Sequence, residues 1–224
     1  MTQLEFLKEL SIKAQEIVIH YLRMYPNISL EVKSGNVNKI RKGKSSHYAI
    51  TLKTESKQIM EYEFLHEFFH AVQFEEGFPS VVAKQEEYVE LATFLSSYIL
   101  DLDIRARLEE YGYYQDLSNI SKLVQSYIVY LNKIKQINNK VELMDMENQL
   151  SIAAILITSD IACIDNTELK NAVEFVRPQV MNYYKIFRES LCRFSYRNKE
   201  GAKKIYQYLV DEFGLNDVVE INNK

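Results

Sequence analysis

The sequence predicts an α+β chain, mostly helical, with a small antiparallel sheet near its start and an all-helical C-terminal half. Three observations carry this. Two short segments, 28–33 and 48–52, alternate apolar and polar residues with the period of a half-buried strand. Most other apolar residues recur at helical spacing. Only 6 Gly and 3 Pro occur, against many Leu, Ile, Glu and Lys, a balance that favours helix and leaves little room for long structureless segments.

Taken in order, residues 4–25 carry Leu4, Leu7, Ile12, Ile17, Ile19 and Leu22 close to a helical period, and Pro26-Asn27 ends the helix. Ile28, Leu30 and Val32 mark the first strand, and Ser34-Gly35-Asn36 reads as a turn. The basic stretch Lys39 to Lys44 reads as an exposed loop rather than a phosphate or nucleic-acid patch. Tyr48, Ile50 and Leu52 mark the second strand. Residues 58–74 form a helix that buries Leu65, Phe68, Phe69 and Val72. Gly77 caps that helix and Pro79 blocks its continuation. Residues 81–111 read as one long helix closed by Gly112. Only helices are expected after it: 117–137, 141–163, 167–197 with a kink at Pro178, and 201–213. Asn138-Asn139 and Asp165-Asn166 mark turns. No repeat and no low-complexity segment interrupts the chain. Residues 1–115 are therefore expected to form one core, with 116–224 a helical region packed on it as one continuous domain.

Composition narrows the function classes. The formal net charge of -4 gives no electrostatic reason to expect nucleic acid. The longest apolar run, 152–157, is far short of a membrane span. Cys163 and Cys192 are the only cysteines and make no disulfide framework. The first ten residues are amphipathic and do not read as a signal peptide. A cytoplasmic protein is expected; its oligomeric state is left open.

The chemistry concentrates in His66-Glu67-Phe68-Phe69-His70, an HExxH pattern that holds two of the chain's 4 His. Positions i and i+4 of a helix share a face, so both imidazoles can reach one metal ion, with Glu67 beside them as a general base. A third ligand is needed. Glu90 is the first choice. It follows His70 by 90 − 70 = 20 residues and is the only charged residue in the run from Tyr88 to Leu100. Asp101 is the rival. It lies eleven residues further on the same helical stripe, roughly 16 Å along the axis, so only one of the two can touch the metal. Asp101 could otherwise orient a ligand histidine or pair with Arg105. His20 and His47 read as ordinary histidines. Tyr111, Tyr113 and Tyr114 read as packing residues, although a phenol there could serve an oxyanion.

His66-Glu67-Phe68-Phe69-His70, followed by a helix with Glu90, Ala92 and Phe94, resembles the gluzincin metallopeptidases. The order of helix, short strands, HExxH helix and Glu helix also resembles the small ImmA/IrrE-type bacterial proteases. The resemblance spans residues 28–114. It implies a zincin-like core, a Zn2+ ion on His66, His70 and Glu90, Glu67 as catalytic base, and a peptide or protein as substrate. The expected function is zinc-dependent peptide hydrolysis. The alternative is a regulatory or binding protein with a degenerate or structural metal site, against which an intact Glu67 argues.

Overall fold

The computed structural model describes residues 6–36, 38–43, 46–53, 57–114, 117–136 and 146–222. It is mostly helical with two small sheets, in keeping with the α+β class. The chain divides into two compact units. One comprises Met1–Phe78, Leu100–Gln115 and Asn223–Lys224; the other comprises Pro79–Ile99 and Asp116–Asn222.

The first unit begins with Phe6 and Leu10, both buried, ahead of helix α1, Ile12–Met24. The helix expected over 4–25 starts late because Ser11 caps it. The Ser11 hydroxyl accepts from Ala14 N at 3.2 Å and satisfies an otherwise orphan helix N–H. Three strands follow: β1, Ser29–Gly35; β2, Lys39–Lys42; and β3, His47–Lys53. Their order is β1-β3-β2, with β1 parallel to β3 and β2 antiparallel to it. This corrects two expectations. The sheet is mixed rather than a simple antiparallel pair, and the basic stretch supplies a strand. Because β2 returns antiparallel, β3 is left running with β1. The expected turn at 34–36 also yields to pairing, since Ser34 and Gly35 lie opposite Leu52 and Lys53.

Alternation then does the sorting. Leu30, Val32, Tyr48, Ile50 and Leu52 are buried on the inner face, with Ile40 packed beside them. Helix α2, Lys57–Glu76, packs on that face. Its Phe64, Leu65, Phe68, Phe69, Ala71 and Val72 are buried in one cluster with α1 and the sheet. Ile104 and Leu108 of helix α3, Val89–Glu110, complete the cluster.

In the second unit, β4, Ser80–Ala83, pairs antiparallel with β5, Val219–Asn222. Two expectations change here. The helix expected over 81–111 begins only at Val89, because Val81 and Val82 enter a ladder and Glu86–Tyr88 forms a single 3-10 turn. The C-terminal half is not purely helical, since β5 belongs to it. The Ser96 hydroxyl bonds both Val81 N (2.6 Å) and Val81 O (3.0 Å), pinning β4 to the first half of α3.

Five helices make up the rest: α4, Leu117–Gln136; α5, Met146–Ile161; α6, Thr167–Val176; α7, Pro178–Arg193; and α8, Lys199–Glu212. Pro178 does not kink a long helix; it opens α7, where its missing N–H costs nothing. Arg177 before it leaves the helical region at φ −148°, ψ 73°. The Asn138-Asn139 turn and the start of the helix expected at 141 lie outside the described residues.

The turn between α5 and α6 is stapled by Asp160. Its carboxylate accepts from Tyr184 Oη (2.5 Å), Lys170 Nζ (2.9 Å) and Asn166 Nδ2 (2.9 Å). Burial pushes its pKa up, but these donors outweigh burial and hold it below the usual aspartate value. The stabilisation is therefore complete above the ordinary aspartate pKa and is lost as pH falls through the lower folded value. We expect the melting temperature to drop on acidification through that range, and to drop less in Asp160→Asn. Circular dichroism melts across pH check this; equal acid sensitivity of the two proteins would contradict it.

Candidate metal centre

Helix α2 carries His66, His70 and Gln73 at i, i+4 and i+7, a single stripe. The helix ends where the sequence predicts. Gly77 adopts φ 77°, and Phe78 N donates back to Gln73 O at 3.0 Å, a left-handed cap that suits glycine. Asp101, Asp103 and Arg107 come from the second half of α3, within the same compact unit.

The two histidines converge on Asp101. Asp101 Oδ1 lies 3.4 Å from His66 Nε2 and 3.2 Å from His70 Nε2. All three atoms lie within 4.8 Å of one another, and among the described residues this is the one group of its kind. The side chains are partly buried, and Asp101 Oδ1 is itself buried without accepting a hydrogen bond. Burial disfavours the charged forms of His66 and Asp101, but each stabilises the other's charge. Despite burial, His66 is held above the usual histidine value by the Asp101 carboxylate. Despite burial, Asp101 is held below the usual carboxylate range by the two imidazoles.

Glu67 is 7% exposed. Burial pushes its pKa up, and the imidazoles of His66 and His70 partly oppose this. Among the described residues it makes no hydrogen bond.

Glu90 does not join the group. It lies exposed in the first turn of α3. Its separation from Asp101 along the helix, roughly 16 Å, leaves room for only one of them at the histidines. The isolation of Glu90 among apolar neighbours suggested a buried carboxylate, but Val89 beside it is also exposed, so that turn faces water. Asp101 pairs with the histidines, and no Asp101–Arg105 ion pair is present among the described residues. Tyr113 donates to Glu61 at 2.7 Å, Tyr111 stacks on Phe69, and Tyr114 is exposed. His20 and His47 are exposed.

A buried polar network, not foreseen from the sequence, holds the two helices beside the centre. Gln73 Nε2 donates to Leu100 O (3.0 Å) and Asp103 Oδ2 (2.9 Å). Arg107 Nε donates to the same Asp103 oxygen at 2.7 Å. The two terminal nitrogens of Arg107 grip Glu76 bidentately at 2.9 and 2.6 Å, and Tyr25 Oη adds a bond to Glu76 at 3.2 Å. The guanidinium also lies over the Phe78 ring. The sequence signal was the i, i+4 spacing of Asp103 and Arg107, together with Gln73 falling on the histidine stripe.

No protein-family model, curated protein or solved structure matches this chain.

Arg107→Met should cost about 3–5 kcal/mol, because it leaves the fully buried Asp103 and the Glu76 carboxylate without their cation. Denaturant unfolding measures this. Asp103→Asn combined with Arg107→Met should recover part of the loss; no recovery would mean that the uncompensated charge is not the cause.

Proposed function

We propose that the chain is a zinc-dependent peptidase whose metal is held by His66, His70 and Asp101 and whose general base is Glu67. The observation that carries this is Asp101 Oδ1, a buried carboxylate oxygen that accepts no well-aligned hydrogen bond although two imidazole nitrogens from one HExxH helix lie 3.4 and 3.2 Å from it. A buried oxygen is rarely left orphaned, and a cation among the three atoms would satisfy it. Two imidazoles and a carboxylate form an established donor set for catalytic zinc with an open position. Bound there, zinc would supply Lewis acidity toward a peptide carbonyl and make attack by water possible at neutral pH.

The chain's own residues supply the rest. His66 and His70 are fixed by one rigid helix. Glu67, one residue from His66, would accept the proton of the attacking water and return it to the leaving amine. Its burial favours proton acceptance, since it raises the affinity of the carboxylate for a proton. An aspartate as third ligand narrows the resemblance to the gluzincins to the His66-Glu67-His70 motif itself.

Purified protein is expected to carry about one zinc per chain by elemental mass spectrometry and to hydrolyse members of a quenched peptide library. Glu67→Gln should keep the metal and lose hydrolysis. Zinc loss from Glu67→Gln equal to that from His66→Ala would remove Glu67 from the base role.

Asp101→Ala should weaken zinc binding by more than the ~10–100-fold typical of an indirect partner, whereas Glu90→Ala should leave it unchanged. Competition with a chromogenic chelator measures both. The opposite order would return the third position to Glu90.

A further inference from the structure

Residues 39–42 of the basic stretch lie outside the His66, His70 and Asp101 group, and they form a strand. Among the described residues β2 pairs with β3 on one side only and is an edge strand. Gly43 N donates to His47 O at 2.6 Å, which makes that pair a bonded one. Antiparallel ladders alternate bonded and non-bonded pairs. In this register Arg41 bonds Ala49 and Lys39 bonds Thr51. Ile40 and Lys42 therefore turn their N–H and C=O groups to the free edge.

The side chains divide the other way. Ile40 packs on the core, and Lys42 folds inward over the Tyr48 and Phe74 rings to reach Glu75 at 3.5 Å. Lys39 and Arg41 project from the outer face and are exposed. Their neighbours on β3, Thr51 and Ala49, are too short to cover them. Glu31, an acid on β1, is held by Lys33 at 2.8 Å. Among the described residues neither Lys39 nor Arg41 has an ion pair.

We propose that β2 is a docking strand for an extended acidic segment of another protein, added antiparallel at the free edge. The incoming backbone would exchange hydrogen bonds with Ile40 and Lys42. Its residues opposite Lys39 and Arg41 would then form non-bonded pairs, the kind in which Cα atoms approach to about 4.5 Å and facing side chains are closest. The geometry specifies two acidic residues separated by one, both on the outer face. A peptide fits better than a nucleic acid. An extended peptide can pair the amide and carbonyl groups of the edge together, in ladder register. The strands offer no outward Phe, Tyr or Trp on which bases could stack.

The test uses the full chain as Glu67→Gln, so that the probe is not consumed. A fluorescein-labelled peptide with glutamate at two alternate positions in a Val/Thr background is titrated by anisotropy. Lys39→Glu/Arg41→Glu should weaken binding by about tenfold or more and should gain affinity for the same peptide with lysine in place of glutamate. N-methylation of the peptide at the residues facing Ile40 and Lys42 should abolish binding, and methylation one residue along should not. Three results would overturn the proposal: no binding of the acidic peptide; binding indifferent to both the charge reversal and the methylation; or displacement by single-stranded nucleic acid more effective than by unlabelled peptide. Self-association of the charge-reversed variant, with no change in peptide binding, would also overturn it, by assigning the cations to edge protection alone.

Discussion

One guanidinium sets the geometry on which the candidate metal centre depends. Arg107 lies between two carboxylates from different elements, Asp103 of its own helix and Glu76 at the end of α2. Removing so much charge from water is expensive, and the mutual attraction roughly offsets that cost rather than adding a large surplus. What the bridge secures is alignment. A bidentate grip tolerates little rotation of either partner. Gln73 ties the same aspartate to the histidine stripe. With Glu76 and Gln73 held, His70 is held, because all three ride on one rigid helix. With Asp103 held, Asp101 two residues before it is held as well.

The polar groups around this bridge are otherwise well satisfied, which makes the exceptions informative. Among the described residues, two buried side-chain atoms lack a hydrogen-bond partner: Asp101 Oδ1 and Gln73 Oε1. Elsewhere, Asn166 bonds both Leu156 O and Asp160, and the hydroxyls of Ser159 and Ser190 bond backbone carbonyls of their own helices. The Asp101 oxygen instead faces the His66 and His70 nitrogens at 3.4 and 3.2 Å, a set that a cation among the three atoms could complete. Both orphans lie close in sequence to the residues of the proposed centre. The polar interior is thus least complete where a ligand would complete it.

Much of this was legible in the residues. The HExxH stripe, the Gly77 cap and the alternation of β1 and β3 follow from local periodicity and backbone chemistry, which a sequence displays directly. The choice between Glu90 and Asp101 did not. Both lie on one stripe of α3, and only tertiary packing decides which turn of a helix faces protein and which faces water. The strand in the basic stretch was hidden for a related reason. Lys39 and Arg41 are compatible with either loop or edge strand, and Ile40 alone shows no alternation. β5 was missed because a four-residue segment becomes a strand only through its partner, Ser80–Ala83, far away in the chain. Pro178 was read as a kink within one helix, but it opens a second one, and sequence alone does not show whether a helix bends at a proline or ends before it and restarts.

The β4–β5 ladder bears on how the molecule is made. Synthesis runs from the N-terminus, and the residues proposed to bind zinc, with most of the cluster around them, emerge early. The second unit is different, because β4 waits for a strand translated long after it. Until β5 leaves the ribosome, Val81 and Val82 present an unpaired, β-branched edge to solvent or to a chaperone. The loop closed by this pairing spans most of that unit, so its closure is entropically slow. The second unit therefore completes its ladder only once residues 219–222 are available, whereas most of the first unit, residues 1–78 and 100–115, is made before them.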